Sequence, residues 1–455
     1  MRKNIDMVNG PLFSSILRYS VPIMLTSVLQ LLFNAADLVV VGRYCGSIYM
    51  AAVSATSSII NLIINLFIGL SVGAGVAVAH GLGGQKDEEV HRTVHTTIPT
   101  AIAAGIVLTI TGITFAEDFL TMMSTPASVL PHSATYMRIY FGGMVFSMLY
   151  NFSASILRAA GDTKSPLIFL SISGVVNVVL NFIFVTVFHM NVDGVALATI
   201  ISQALSAVLV TITLMRRTDA CKLSLLKIRF YKSQLLKIIR IGLPAGIQGC
   251  LFSISNVVIQ SSINSFNSDA IMSGNGAALN IEGFIYVIQN SFHQAAVNFV
   301  GQNVGAHRFD RVKKVLFSCM GFVTVFSLIV GGAVWIFGEP LLSIYITDSP
   351  EAIAEGMVRL THLAVPYFMC GLMDVAVGAI RGLGASVVPM LISILGVCGI
   401  RILWVYTIFQ IPQYHTMPCL LSSYTLSWTI TFLCQSVAFF LVYKKKTRSL
   451  SAYTH

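Results

Sequence analysis

Twelve transmembrane helices in two six-helix lobes, an all-α polytopic membrane protein, is the fold class this sequence predicts, and three observations predict it. The 455 residues are 55% hydrophobic and only 10% charged, with a mean hydropathy of +0.81; an ordinary soluble domain carries about 25% charged residues. The apolar residues gather in runs of the roughly 20 residues that a helix needs to cross a bilayer. The second half of the chain repeats the first at a fixed offset. Transmembrane barrels would need short alternating strands instead.

Span 1 covers 16–41, where Arg18 near the start and Asp37 are the only charges. Span 2, 49–80, contains "GLSVGAG" (69–75), whose glycines allow close helix packing. Spans 3 to 6 cover 93–114, 134–157, 166–189 and 194–215 and complete a first lobe at 1–215. The stretch "RRTDACKLSLLKIRFYKSQLLKIIR" (216–240) holds eight of the 28 Lys and Arg, and its 216–236 portion reads as a cytoplasmic linker. Spans 7 to 12 cover 237–263, 271–303, 315–337, 357–380, 387–410 and 417–443 within a second lobe at 237–455, which ends in a short tail carrying "KKKTR".

Shifting the sequence by 222 residues aligns 18–92 with 240–314 without a gap, with 12 identities in 75 positions. Arg18 falls on Arg240, Pro22 on Pro244 and Asn34 on Asn256; later, "LRAAGDTKSP" (157–166) matches "IRGLGASVVP" (380–389). Six spans per half give both halves the same orientation. They are expected to be related by a pseudo-twofold axis along the membrane normal, with a cavity at their interface, as in secondary transporters.

Charge placement sets the topology. Twenty-four of the 28 Lys and Arg lie at the termini or at the ends of every second connection, leaving Arg43, Arg138, Arg359 and Arg401. The alternate connections 115–133 and 338–356 carry carboxylates and no Lys or Arg. This positive-inside bias predicts cytoplasmic termini on a multi-pass membrane protein. The net charge of +10 does not indicate nucleic acid, because no basic-aromatic module accompanies it. "MRKNIDMVNG" reads as the start of an uncleaved first helix.

Soluble chemistry finds no motif. The eight cysteines are scattered without a CxxC pair and read as small apolar packing residues, with no disulfide or metal site. There is no GxxxxGK[ST] loop and no HExxH, and the ten histidines, His455 included, lack ligand-like spacing. The "GLGG" at 81–84 follows a membrane helix, not a strand, so it is no dinucleotide fingerprint. The chain is expected to be no enzyme and to carry no cofactor.

Of the 18 acidic residues, only Asp37, Glu282 and Asp374 fall well inside spans. A charged Asp at a helix centre costs roughly 2.5–3.5 kcal/mol, and neutralising one at pH 7 costs about 4 kcal/mol. The two costs are similar, so small changes in hydration or partner flip the protonation state. An intramembrane carboxylate poised in this way suits ion coupling; the bland reading is a protonated Asp37 bonded to a carbonyl or to Asn34 one turn away. Glu282 and Asp374 either face the cavity or pair within the second lobe, for instance with Arg401. Gln289, with Asn290, His293 and Gln294, forms a polar cluster on span 8 that faces the interior.

Several of these stretches carry a resemblance. "RYSVPIMLTSVLQLLFNAADLVVVGRYCG", "LRAAGDTKSP" and "GVALATIISQ" in the first half, with "NIEGF", "FVGQNVGAHRFDRVKK" and "IRGLGAS" in the second, resemble the multidrug and toxic compound extrusion (MATE) family, prokaryotic branch. The resemblance implies a coupling-cation site of Asp37 (span 1), Asn177 and Asn181 (span 5) and Thr199 (span 6), with Pro22 as a hinge. Independently of the family, Asp37, Asn181 and Thr199 all fall roughly 7–12 Å inside the outer boundary at 1.5 Å per residue, and Asn177 lies one turn from Asn181 on the same face. Relatives commonly carry an aspartate where this chain has Asn181. Losing that anionic ligand shifts the expectation from Na⁺ toward H⁺, since hard cations favour anionic oxygens.

The resulting expectation is a monomeric secondary exporter, exchanging extracellular H⁺ (or Na⁺ at the Asp37 site) for amphipathic, cationic drugs or toxins in contact with membrane lipids. A lipid-linked oligosaccharide flippase of the same superfamily would want a more cationic cavity, and here the intramembrane cations are expected to reduce to Arg401. A membrane-embedded enzyme would show a catalytic pair, and a receptor an exposed ligand or effector domain. A major-facilitator carrier would show a GxxxDRxGRR-like loop where this chain has "GLGGQKDEEVHR".

Overall fold

A computed structural model describes residues 4–451 apart from Ser124 and Asp348; the side chains of Ser47, Ser58 and residues 449–451 also lie outside the description. The described chain is helical with twelve spans, each overlapping the run expected for it. Span 1 is Leu12–Val40 continued by a π-helical turn, Val41–Cys45. Spans 2 and 3 are Ser47–Gly83 and Asp87–Thr114. Span 4 is a bent pair, Leu130–Gly142 and Met144–Ala159, meeting at 49°. Spans 5 and 6 are Lys164–Thr186 and Val192–Met215.

The second half repeats this order. Spans 7, 8 and 9 are Lys232–Asn264, Asp269–Gly305 and Phe309–Ile336. Span 10 is again a bent pair, Pro350–Leu363 and Tyr367–Gly382, at 50°. Span 11 runs over Val387–Tyr406 with a π-helical stretch at Ile394–Gly399, and span 12 over Met417–Ser451. Span 8 is long enough to cross a bilayer at 37 residues, but its many amides leave it less apolar than the others.

The 222-residue repeat appears in the backbone itself. Ser47–Gly83 and Asp269–Gly305 are one offset apart at both ends, as are Asp87–Thr114 and Phe309–Ile336. Gln85 (φ 53°) and His307 (φ 58°) hold the same left-handed position after their helices. Gly161 (φ 84°) and Gly384 (φ 86°) do so after the bent spans, where a residue without Cβ turns the chain at least cost.

The chain divides into two compact units, one of residues 4–6 and Leu25–Cys250, the other of Met7–Met24 and Leu251 through residue 451. Their boundaries therefore fall inside spans 1 and 7, not at the 216–236 linker between lobes 1–215 and 237–455. In the second unit, the first part of span 1 is held to span 8. Asn298 donates to the Tyr19 hydroxyl at 2.8 Å, Asn303 to the Met7 carbonyl at 3.0 Å, and the Tyr19 ring meets Phe299 edge-on.

In the first unit, the first part of span 7 packs on span 2 through glycines. A Cβ on Gly69 would lie 2.1 Å from the Gly246 nitrogen, and one on Gly73 2.2 Å from the Ile238 carbonyl oxygen. The glycines that the sequence marked for close packing do that here, with Gly242 and Gly246 as their counterparts. The 216–236 stretch is strapped along span 3. The Ser224 N–H donates to His95 Nε2 at 3.0 Å, the Tyr231 N–H to Thr96 Oγ1 at 3.1 Å, and Thr93 Oγ1 to Gln234 Oε1 at 3.0 Å. Lys237 pairs with Glu89 at the same end.

Candidate functional site

Asp37, Asn177, Asn181 and Thr199 come together within the first unit. Asn181 is fully buried on span 5 and donates through Nδ2 to Asp37 Oδ1 at 2.5 Å and to Asn177 Oδ1 at 3.3 Å. Asn177 donates to Thr199 Oγ1 at 3.4 Å, and the Thr199 hydroxyl donates to the Val195 carbonyl at 3.0 Å. Asp37 thus bonds across to a residue 144 positions away and not to Asn34, whose side chain is exposed on span 1.

Local sequence explains how span 1 reaches span 5. A Cβ at Gly174 would lie 1.8 Å from the Phe33 ring. Phe33 precedes Asp37 by about one turn, and Gly174 precedes Asn177 by about one turn, so the missing side chain admits the ring and sets the spacing of the polar layer. Tyr44 meets Phe182 edge-on at 5.9 Å above it. Gly174 was not singled out from sequence, although a lone glycine in the apolar run "SISGVVNVV" was a signal of close approach. Tyr136 and Tyr140 of span 4 also lie within electrostatic reach of Asp37.

The donor directions define what the site can do. The Asn181 amide donates to the carboxylate, which accepts, while Asn177 donates the other way to Thr199, so at Asp37 itself the arrangement suits an ionised carboxylate. The Asn181 Oδ1 atom is buried without a hydrogen-bond partner, and such an acceptor normally has one. A proton on Asp37 would supply a donor, and a small cation would find carboxylate, amide and hydroxyl oxygens together. No group of three or more His, Cys, Asp or Glu placed to hold a metal ion is present among the described residues; His455 lies outside them.

Pro22 is buried within span 1, which remains helical through it. It stands two residues before Met24, where span 1 passes from one unit to the other.

The second unit corrects the expected partner of its acids. Glu282 does not meet Arg401: Arg359 of span 10 donates to both its oxygens at 2.8 and 2.9 Å, and to Asn275 Oδ1 at 2.9 Å. Both charges are almost wholly buried, and such a pair persists only when further hydrogen bonds satisfy it. Arg401 stacks instead on the Tyr424 ring, 4.0 Å from its centroid, and donates to Ser427 Oγ at 3.2 Å. The cation acting on Asp374 is Arg381, one end of its own helix. Intramembrane cations therefore do not reduce to Arg401, though an acid faces each of the other two. Gln289 is fully buried and donates to the Tyr367 carbonyl at 2.7 Å, at the start of the second half of bent span 10. His293 donates from Nδ1 to the Asp374 carbonyl at 2.7 Å.

A helical membrane protein of two repeated six-span halves, with a buried polar layer in one of them, belongs to the class of transport proteins. The profile of the MatE family matches residues 22–183 and 244–407, two copies whose starts are offset by the same 222 residues. The chain belongs to the MatE family; it is a transporter and not an enzyme. It is 27% identical over 393 residues to a probable multidrug resistance protein, YpnP, of Bacillus subtilis, covering 86% of this chain and 87% of that one. It is 22% identical over 411 residues to the multidrug export protein MepA of Staphylococcus aureus, covering 87% and 90%. Its fold matches the outward-facing conformation of a multidrug resistance MATE family transporter with a TM-score of 0.88 at 20% identity, over 99% of both chains.

Proposed function

We propose that this transporter exports amphipathic, cationic compounds across a bacterial inner membrane in exchange for an inward-moving cation, with both termini in the cytoplasm. The observation that carries the reading is the Asp37–Asn181–Asn177–Thr199 chain of hydrogen bonds drawn from spans 1, 5 and 6. H⁺ entering from outside neutralises Asp37, and the Asn181 amide that points at its Oδ1 then faces a neutral, weaker acceptor. The polar layer must then rearrange, beginning with Asn181, whose own oxygen can accept from the new O–H. Span 1 carries that change to Pro22 as the hinge.

Coupling requires that cation and drug favour different states; otherwise neither gradient does work on the other. H⁺ is preferred to Na⁺ because Asp37 is the one acid of this layer and its partners are neutral. Export of drugs is supported by the names of the matched relatives, and monomeric action by a complete polar layer within one chain. The test is efflux of a fluorescent cationic dye in inverted vesicles, with a pH gradient and a sodium gradient imposed separately. A pH gradient alone should drive it. Transport indifferent to both gradients would overturn the exchange reading.

A further inference from the structure

The strap between spans 6 and 7 has two unlike sides. Its inner side is fixed: Cys221 and Leu223 are buried, the Leu223 N–H donates to the Leu214 carbonyl at 3.0 Å, and Ser224 and Tyr231 are held by His95 and Thr96. Its outer side carries Leu225, Leu226 and Phe230 at 55%, 99% and 51% exposure. Between and beside them stand Lys222, Lys227, Arg229 and Lys232, all exposed. A fully solvated Leu226 beside a half-exposed Leu225 on a pinned turn (Leu225–Lys227 is a single 3-10 turn) is unfavourable in water and favourable at a bilayer surface. The exposed apolar positions continue into span 7 at Leu236, Ile239 and Leu243, where a membrane helix meets lipid.

We propose that this strap is a docking surface for anionic phospholipid: Leu225, Leu226 and Phe230 enter the interface, and the cations beside them bind the headgroups. Charge complementarity favours an anionic surface. Among its residues only Asp219 is acidic, and Arg217 holds that carboxylate in an ion pair, so no carboxylate of the strap neutralises the outer cations, of which Arg229 lies over the Tyr231 ring. Apolar insertion combined with a polybasic patch is the pairing that fixes interfacial segments to membranes. Because the same strap is bonded to span 3 and runs directly into span 7, headgroup occupancy acts on two spans at once. The inference does not depend on ion coupling or on the drug.

A Leu226→Trp variant, at a position that touches nothing, reports the contact. In nanodiscs its fluorescence, corrected for the wild-type tryptophans, should be quenched by lipids brominated near the headgroup end of the chain. Quenching should be stronger for brominated phosphatidylglycerol than for brominated phosphatidylcholine. Adding Lys227→Gln, Arg229→Gln and Lys232→Gln should lower the preference for phosphatidylglycerol about a hundredfold. Absence of quenching would place the strap in water and overturn the proposal. Equal quenching by both lipids would reduce the cations to topology signals and overturn it as well. Should the tryptophan variant not fold, retention of phosphatidylglycerol by the purified wild-type chain, compared with that of the triple glutamine variant, decides in the same way; equal retention is the negative result.

Discussion

Asp37 owes its setting to three neutral neighbours, and its role is tested by changing charge without changing shape. Asp37→Asn keeps size and hydrogen bonding, so insertion should be normal and gradient-driven dye efflux abolished. Full efflux by the inserted variant would remove Asp37 from the mechanism. Asn181→Asp tests cation choice. Two carboxylates in this layer repel, raising the proton affinity of one of them, and a bound Na⁺ relieves that repulsion. Sodium dependence of efflux should appear or strengthen at alkaline pH; identical sodium titrations for variant and wild type would show that position 181 does not select the ion. The polar layer was legible in sequence because intramembrane acids and amides are rare and their depths could be counted. The Glu282–Arg359 pair was not. Arg359 sits 77 positions away on a bent span; its place off the basic connections set it apart, but its nearness to the start of span 10 read as an end-of-span arginine.

At the scale of elements, bends and glycines decide which side chains meet. The bend in span 4 falls at the Gly142–Gly143 pair and that in span 10 next to Pro366. Both signals were present in sequence, but apolar runs of span length mask a 49° turn within them. Gly174→Ala should displace Phe33 and with it Asp37, since overpacking costs roughly 1–3 kcal/mol. Efflux should fall while the protein remains inserted; unchanged efflux would show that the polar layer tolerates a shifted span 1. Pro22→Ala restores a backbone donor to span 1 and should cut turnover with drug affinity retained, measured by dye efflux against dye binding. In the first turn of the span 3 helix, ahead of the membrane-crossing run at 93–114, burial works against ionising Glu89, but Lys237 and then Lys86 and His80 hold its carboxyl below the ordinary range. A depressed carboxylate stabilises the fold above its unfolded pKa, and that contribution is lost as pH falls through the depressed value. Glu89→Gln should therefore flatten the acid limb of a Tm-versus-pH curve while leaving its neutral region with a modest loss.

At the scale of the whole molecule, the repeat is symmetric in backbone and asymmetric in chemistry. The position equivalent to Asp37 is Ile259, and the one equivalent to Glu282 is Ile60, so each half keeps its own intramembrane charge. The offset of 222 was readable from sparse identities because they align without a gap over 75 positions, most of them inside helices. The passage of spans 1 and 7 between units was not readable, since both halves of each helix are equally apolar. That passage makes a prediction about what joins the molecule. The first part of span 1 is bonded to span 8 in one unit, and the first part of span 7 packs on span 2 in the other. Contacts within each unit should then hold the chain together without a continuous linker. Residues 1–217 and 218–455, coexpressed as separate chains with a tag on one, should copurify and support dye efflux. Gly73→Leu in the first fragment would place a side chain where even a Cβ meets the Ile238 carbonyl at 2.2 Å, and the backbone has no flexible group there to yield. That variant should reduce copurification of the split pair much more than it reduces the yield of the unbroken chain. Equal recovery of the two split pairs would show that the glycine contact between spans 2 and 7 is not what joins them.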